Sequence, residues 1–253
     1  MHCLTIRFYA ELNDFLPPSR RQKAFQHCFD GRPAIKDVIE SLGPPHTEVD
    51  LILVNGESVG LAHRVQGGEH ISVFPLFRTI PLANVSKTQP ELPLTKRFLL
   101  DTHLHKLAVY LRMVGIDAAF CSDCSDQELA EKAAAESQIL LTRDRGLLKL
   151  SQVTHGYFVR DLDPERQLLE VLLRFQLFDL LLPFSRCLRC NTELQPASKE
   201  SVWERLPERV RTYHQDFQAC PGCGGVYWKG THYERMAAMV RRIQSLHRLQ
   251  YLS

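Results

Sequence analysis

Over residues 1–80 the apolar side chains first alternate and then recur at helical spacing. Leu4, Ile6 and Phe8 alternate with Thr5, Arg7 and Tyr9, the pattern of a half-buried strand. Residues 24–29 offer a second strand. Ile35, Val38, Ile39 and Leu42 fall at i, i+3, i+4 and i+7, one face of a helix that Gly43-Pro44-Pro45 ends. Leu51-Ile-Leu-Val54 runs into Asn55-Gly56, a type I′ hairpin signal, and Ile71-Ser-Val-Phe74 reads as the last strand. The predicted order is ββαββ.

Residues 81–96 hold three prolines among polar residues and have no periodicity, which predicts a linker. Beyond it the pattern changes. Phe98-Leu-Leu100 and Ile139-Leu-Leu141 are uninterrupted apolar runs that stop at polar residues, with Asp101 and Asp144 close behind. Short apolar runs separated by helical periods predict buried parallel strands. Leu104, Leu107, Ala108, Leu111 and Val114 form a helical stripe that ends at Gly115, a C-cap glycine. A short strand is expected over 118–121. Ser125 and Glu128 have capping-box spacing before the next helix. Tyr157-Phe-Val159 gives a fourth strand, and Leu168, Leu169, Leu172, Leu173 and Phe175 mark a last helix before Pro183. The alternation predicts a small three-layer α/β/α domain over 97–184. Ligands of such sheets collect outside the carboxyl ends of the strands, where Asp101 and Asp144 are expected. Two carboxylates converging there repel each other unless a cation neutralises them, which points to a divalent metal.

Residues 185–253 carry the chain's most specific motif. Cys187-Leu-Arg-Cys190 and Cys220-Pro-Gly-Cys223 are two Cys-x-x-Cys pairs, the ligand set of a tetrahedral S₄ zinc site. With all four positions spent on thiolates, that zinc would be structural. Tyr227, Trp228, Lys229 and His232 interleave aromatic and basic groups, which suits stacking and phosphate contact on single-stranded RNA and equally suits ribbon core and turn. The final helix has an apolar stripe of Met236, Met239, Val240, Ile243 and Leu246, with Arg235, Arg241, Arg242 and Arg248 outside it.

Composition narrows the setting. Hydrophobic residues are 44% and charged ones 24% of 253, ordinary for a soluble globular protein of two or three domains. The first residues do not read as a secretory signal, and no apolar stretch is long enough to span a membrane. A cytoplasmic location is therefore expected, in which eight cysteines would be metal ligands or reduced thiols; Cys121 and Cys124 are read as reduced thiols. Net charge is +2, unevenly spread: residues 185–253 hold 11 Lys/Arg against 6 Asp/Glu, while 81–184 hold 12 against 14. A basic module beside an acidic crevice suits a polyanion such as nucleic acid.

Two resemblances add to this reading. Ile6-Arg-Phe-Tyr-Ala-Glu-Leu12 and Leu53-Val-Asn-Gly-Glu57, within the ββαββ order, resemble the ubiquitin-like β-grasp domain of the ThiS/MoaD sulfur carriers. Those carriers act through a free terminal Gly-Gly, whereas Gly67-Gly68 precedes the last strand here, so residues 1–80 are read as a binding or scaffolding module with a surface for a protein partner. The stretch from Leu100-Asp101 to Gly115, together with Leu140-Leu-Thr-Arg-Asp144 and Gln167-Leu168, resembles the Mut-seven C-terminal RNase domain family, PIN-like nucleases that carry a zinc ribbon behind them. This implies a ribonuclease that hydrolyses phosphodiester bonds with Mg²⁺ or Mn²⁺. Asp101, Asp126 and Asp144 match the metal-holding acids, and Asp163 or Asp161 the fourth. Arg112, Arg143, Trp228, Lys229, Arg241 and Arg242 are the residues expected to meet RNA.

Local roles compete at each acid. Asp101 could cap the helix that begins near His103, Asp144 the turn at 146–150, and Asp126 at a first helical turn favours the helix dipole without any metal. Two other readings follow: a non-catalytic RNA-binding or ribosome-associated adaptor in which the acids are structural, and a tRNA-thiolation accessory protein suggested by the β-grasp segment and Cys121/Cys124.

Overall fold

A computed structural model describes residues 1–75, 88, 93 and 95–250, with only the backbone at 247–250. Most of the linker expected over 81–96, and the Arg248 side chain, lie outside the described residues.

In chain order the strands and helices are β1 (His2–Phe8), β2 (Phe25–Phe29), α1 (Ile35–Leu42), β3 (Leu51–Val54), β4 (Glu57–Val59), β5 (His70–Phe74), β6 (Phe98–Leu100), α2 (His105–Met113), β7 (Ala118–Phe120), α3 (Asp126–Ala135), β8 (Ile139–Thr142), β9 (Gly156–Phe158), α4 (Pro164–Arg174), β10 (Gln195–Ala197), α5 (Lys199–Val202), α6 (Glu208–Tyr213), β11 (Phe217–Ala219), β12 (Val226–Trp228) and α7 (Thr231–Gln250). They fall into two compact units, residues 1–96 with 123–158 and residues 97–122 with 159–253.

The first unit opens with a five-stranded sheet in the order β2-β1-β5-β3-β4, β1 and β5 parallel at its centre. The apolar face of α1 (Ile35, Val38, Ile39) joins Leu4, Ile6 and Phe8 in one core. This is a ubiquitin-like β-grasp. The expected ββαββ order lacked β4, which the Asn55-Gly56 turn requires: both residues have positive φ, +50° and +90°, as a type I′ hairpin demands, so the chain must return along β3.

Also in this unit, β8 and β9 pair in parallel, and Ile139, Leu140, Leu141 and Thr142 are all fully buried, as a strand covered on both faces must be. The β-grasp residues hold this segment closely. The Glu48 carboxylate, 2% exposed, accepts the backbone N–H of Phe158 at 2.6 Å. His46 Nε2 lies 3.0 Å from the Val153 carbonyl, and Lys149 Nζ donates to the Glu40 carbonyl at 2.6 Å. Phe15 meets Phe158 edge-on at 5.3 Å, and the Arg145 guanidinium lies over both rings.

In the second unit β6 pairs in parallel with β7, and Phe98 packs edge-on against Phe175 just past α4. Gly115 (φ +90°) closes α2, and a Cβ there would lie 2.2 Å from the Leu182 carbonyl oxygen, so only glycine lets the chain pass. Farther on, β10-β11-β12 form an antiparallel sheet whose Phe217 packs with Val202, Leu206 and Val210. Along α7, Met239, Val240 and Ile243 are buried as expected, but Leu246 is 42% exposed, so the apolar stripe loses its cover before the helix ends.

Two expectations about cysteine are overturned. Cys3 and Cys28 form a disulfide, because the β1–β2 register sets them directly opposite each other. Cys121 and Cys124, expected as reduced thiols, are disulfide-bonded as well.

Candidate functional site

The four remaining cysteines converge. The sulfurs of Cys187, Cys190, Cys220 and Cys223 all lie within 4.8 Å of one another, the only such cluster of His, Cys, Asp or Glu among the described residues. The two Cys-x-x-Cys segments build it by the same backbone device. Cys187 N–H donates to the Thr192 carbonyl and Asn191 N–H to the Cys187 carbonyl, while Cys220 N–H donates to the Gly225 carbonyl and Gly224 N–H to the Cys220 carbonyl. Asn191 and Gly224 both take φ of +70°, the left-handed step that turns each chain back past its sulfurs. Gly222 has no room for a side chain: a Cβ would sit 2.6 Å from Thr192 Oγ1 and 3.4 Å from the Cys190 sulfur.

Around Cys190, burial works against the thiolate, but hydrogen bonds from the Thr192 side chain and backbone and from Cys220 outweigh it and bring the pKa down to about 6. Tyr227 Oη lies 3.1 Å from the Cys187 sulfur and accepts the Leu188 N–H; burial and then the Cys187 sulfur push its pKa up. Four soft donors at this spacing, one already inclined to ionise, suit a metal ion such as zinc.

Arg112, expected at RNA, lies with its side chain against this centre. It is 4% exposed; Nε donates to the Ala118 carbonyl at 2.8 Å, and one terminal nitrogen donates to the Leu188 and Arg189 carbonyls at 3.1 and 3.0 Å. A guanidinium turned onto the backbone of the first Cys-x-x-Cys segment offers no fork to a phosphate. Asn191 completes the brace through Asp117 and the Ala118 N–H.

The acids are not gathered by one local device. In the second unit, Asp101 follows β6, is 4% exposed, and its Oδ1 accepts the His103 N–H at 2.9 Å, so it caps the short helical turn at Thr102–Leu104. Asp163 caps α4 through the N–H groups of Glu165 and Arg166, and Asp161, in the loop before that helix, accepts the Asp163 N–H. In the first unit, Asp126 opens α3 within a complete Ser125/Glu128 capping box, and its side chain is exposed. Asp144 Oδ1 accepts the N–H of Gly146 at 2.6 Å and of Leu147 at 3.3 Å, a tight turn outside the end of β8.

Of the cations expected at RNA, Arg143 lies over the Phe158 ring at 5.8 Å, Arg242 pairs with Glu165, and Arg241 and Lys229 are exposed. Trp228 is half-buried against the cysteine module's core. The residues of this region that sequence reading missed are Asn191 and Thr192 beside the cysteines, and Phe15, His46 and Glu48 beside the Asp144 turn. Asn191 had a visible signal, an asparagine one residue past a Cys-x-x-Cys, where a left-handed step is needed. The other positions had none.

Fold and site define an α/β protein with a ubiquitin-like front, acid-tipped parallel strands and a four-cysteine centre. The chain belongs to the Mut7-C RNase domain family: that family's model matches residues 96–240, and the Mut7-C ubiquitin model matches residues 1–81. Two crystal structures of small archaeal modifier protein 1 from Haloferax volcanii are similar to it at 17% identity and a TM-score of 0.25; they cover 30% and 31% of this chain and 100% and 99% of their own. No curated protein matches the chain. No helix among the described residues is long and apolar enough to cross a membrane.

Proposed function

We propose that this protein is a ribonuclease of PIN-like fold that hydrolyses phosphodiester bonds of RNA, with Asp101, Asp126 and Asp144 as the acids that hold Mg²⁺ or Mn²⁺ and Asp163 as a fourth, supporting acid. The observation that carries the reading is the placement of Asp101 one residue and Asp144 two residues past fully buried parallel strands, in a chain of an RNase-domain family. Such ions, when bound, supply an activated water and charge neutralisation at the leaving oxygen.

The chain's own contribution is orientation. Both hydrogen bonds to the Asp144 carboxylate fall on Oδ1 and come from backbone N–H groups, so the second oxygen is aimed by the turn itself. The His103 N–H fixes Asp101 in the same manner. Asp163 is held alike, with Oδ1 on the α4 cap, and stands as the fourth, supporting acid. The four cysteines hold a structural zinc, in a ribbon with no coordination position left for water. The ribbon and the basic residues of 185–253 take the RNA strand through phosphate contacts, and the β-grasp domain acts as a scaffold.

The test is cleavage of end-labelled single-stranded RNA by the full chain with and without Mg²⁺ or Mn²⁺, beside Asp144→Asn. Metal-dependent cleavage that vanishes in the variant supports the reading; equal cleavage by the variant overturns the role of Asp144, and no cleavage by either chain in either ion returns the adaptor reading.

A further inference from the structure

Within the second unit a cavity of about 350 Å³ opens beside the four-cysteine centre. Its walls are aromatic: Phe184, Tyr227, Trp228 and Tyr233 line it, with Met236 and Leu188 filling between. All four rings belong to half-buried residues, so each keeps part of its surface for a ligand. The Phe184 and Tyr233 rings touch at 4.5 Å and 45°, a tilted pair that forms one corner. Tyr227 already has its hydroxyl engaged by Cys187 and Leu188, which leaves the ring and not the polar tip as its contribution.

We infer that this cavity is a stacking pocket for one unpaired nucleobase of an RNA strand. The inference rests on the ribonuclease reading in taking RNA as the ligand, and it adds the place and the chemistry of recognition. The volume lies at the lower end of small-ligand pockets, the scale of a base and part of its ribose. Aromatic faces accept any base by stacking, the mode of single-strand recognition. Charge is complementary to a strand: Lys229, exposed next to Trp228, can meet the phosphate beside the stacked base, and residues 185–253 carry 11 Lys/Arg against 6 Asp/Glu. Asp216 and Gln218 are polar members of the lining and offer acceptors to an exocyclic amine. Arg186 also lines the cavity, but its guanidinium donates to Asn191 and pairs with Glu193 and Asp117, so it is wall and not phosphate contact.

The experiment uses the full chain as Trp203→Phe, which leaves Trp228 as its single tryptophan. Tryptophan emission is followed during titration with an eight-nucleotide single-stranded RNA, with an abasic ribose-phosphate strand of equal length and charge, and with a short apolar peptide, no divalent cation being added. RNA should quench Trp228 and bind about tenfold or more tighter than the abasic strand, since stacking one base on aromatic side chains is worth that much. Tyr233→Leu, which keeps the apolar volume, should bring RNA down to the level of the abasic strand. Equal affinity of RNA and abasic strand on the unsubstituted pocket overturns the inference, as does quenching by the peptide and not by RNA. Base-dependent quenching by a chain that cuts no RNA in any divalent cation would sink the ribonuclease reading and leave the pocket standing. Cleavage with no base dependence at Trp228 would do the reverse.

Discussion

The cysteine centre and the carboxylates are two groupings of potential ligands, built on opposite plans. The cysteines come as two local pairs, and each pair is shaped by its own backbone hydrogen bonds and left-handed residue, so a few residues of sequence suffice to form half a site. The acids come singly, each at the end of a different strand or start of a different helix, and each also has, or adjoins, a local structural task. A grouping made of local pairs announces its chemistry, while single acids do not separate capping from catalysis. Function there has to be drawn out by changes that remove charge and keep the cap.

The largest effect should come from the local plan. Cys190→Ser or Cys223→Ser removes one of four donors, and under the zinc assignment the folding free energy of the module is the binding free energy of the ion, about 10 kcal/mol or more in small zinc modules. Metal content should fall from one zinc per chain toward none, and the module's unfolding transition should disappear, measured by elemental analysis and thermal melts. Zinc retained in both variants would mean that the four sulfurs are not its ligands.

Asp101→Asn and Asp144→Asn probe the dispersed plan. Asparagine preserves the bonds to the His103, Gly146 and Leu147 N–H groups, so the melting temperature should stay within a few degrees. Cleavage should fall by about three orders of magnitude or more in each, with the double variant little worse, because groups that place one metal together do not act additively. Asp163→Asn should cost less than either. Loss of fold in place of loss of cleavage would make the acids structural and bring the two regions onto the same footing.

How much could be read in advance follows the same division. The strands over Phe98–Leu100 and Ile139–Thr142, the α1 face, the Ser125 capping box and the four-cysteine cluster were all legible, because each is a local pattern of burial or backbone chemistry. The carbonyl partners of Arg112 were not legible, because a cation three turns from an acid gives no sign of carbonyls 76 and 77 residues away. The Cys3–Cys28 bond required the register of β1 against β2, which composition does not give. The hold of Phe15, His46 and Glu48 on 145–158 depends on tertiary contact between segments about a hundred residues apart, for which no spacing rule exists.

That hold supplies the third test. Glu48→Ala would leave the Phe158 N–H without its carboxylate in a nearly dry setting, which costs about 1–3 kcal/mol. The first unit should melt earlier by several degrees, and Glu48→Gln, which keeps an acceptor, should recover most of the loss. If the β-grasp domain were merely tethered, Glu48→Ala would leave the melt of 123–158 unchanged, as read by hydrogen exchange at Phe158.

The smallest effect is expected at the basic tail, and there the structure separates two neighbouring arginines. Arg242 pairs with Glu165 with both side chains well exposed, 58% and 43%, and an ion pair in that setting contributes about 0–1 kcal/mol. Arg242→Ala should therefore leave the melting temperature nearly unchanged. It should also change RNA affinity little, because the charge it removes is already balanced by Glu165. Arg241 is exposed on the same helix. If it meets a phosphate, Arg241→Ala should weaken RNA binding by a few-fold and lower the slope of log affinity against log salt by about one contact's worth, roughly 0.7 for a single strand. Glu165→Gln sharpens the contrast: it frees Arg242 and should raise affinity slightly while leaving the contribution of Arg241 in place. The measurement is RNA affinity across a series of salt concentrations for the three variants, on a chain carrying Asp144→Asn so that the strand is not consumed. Equal losses for the two arginines would show that Glu165 does not compete with RNA, and an unchanged salt slope in Arg241→Ala would remove the tail from the RNA path.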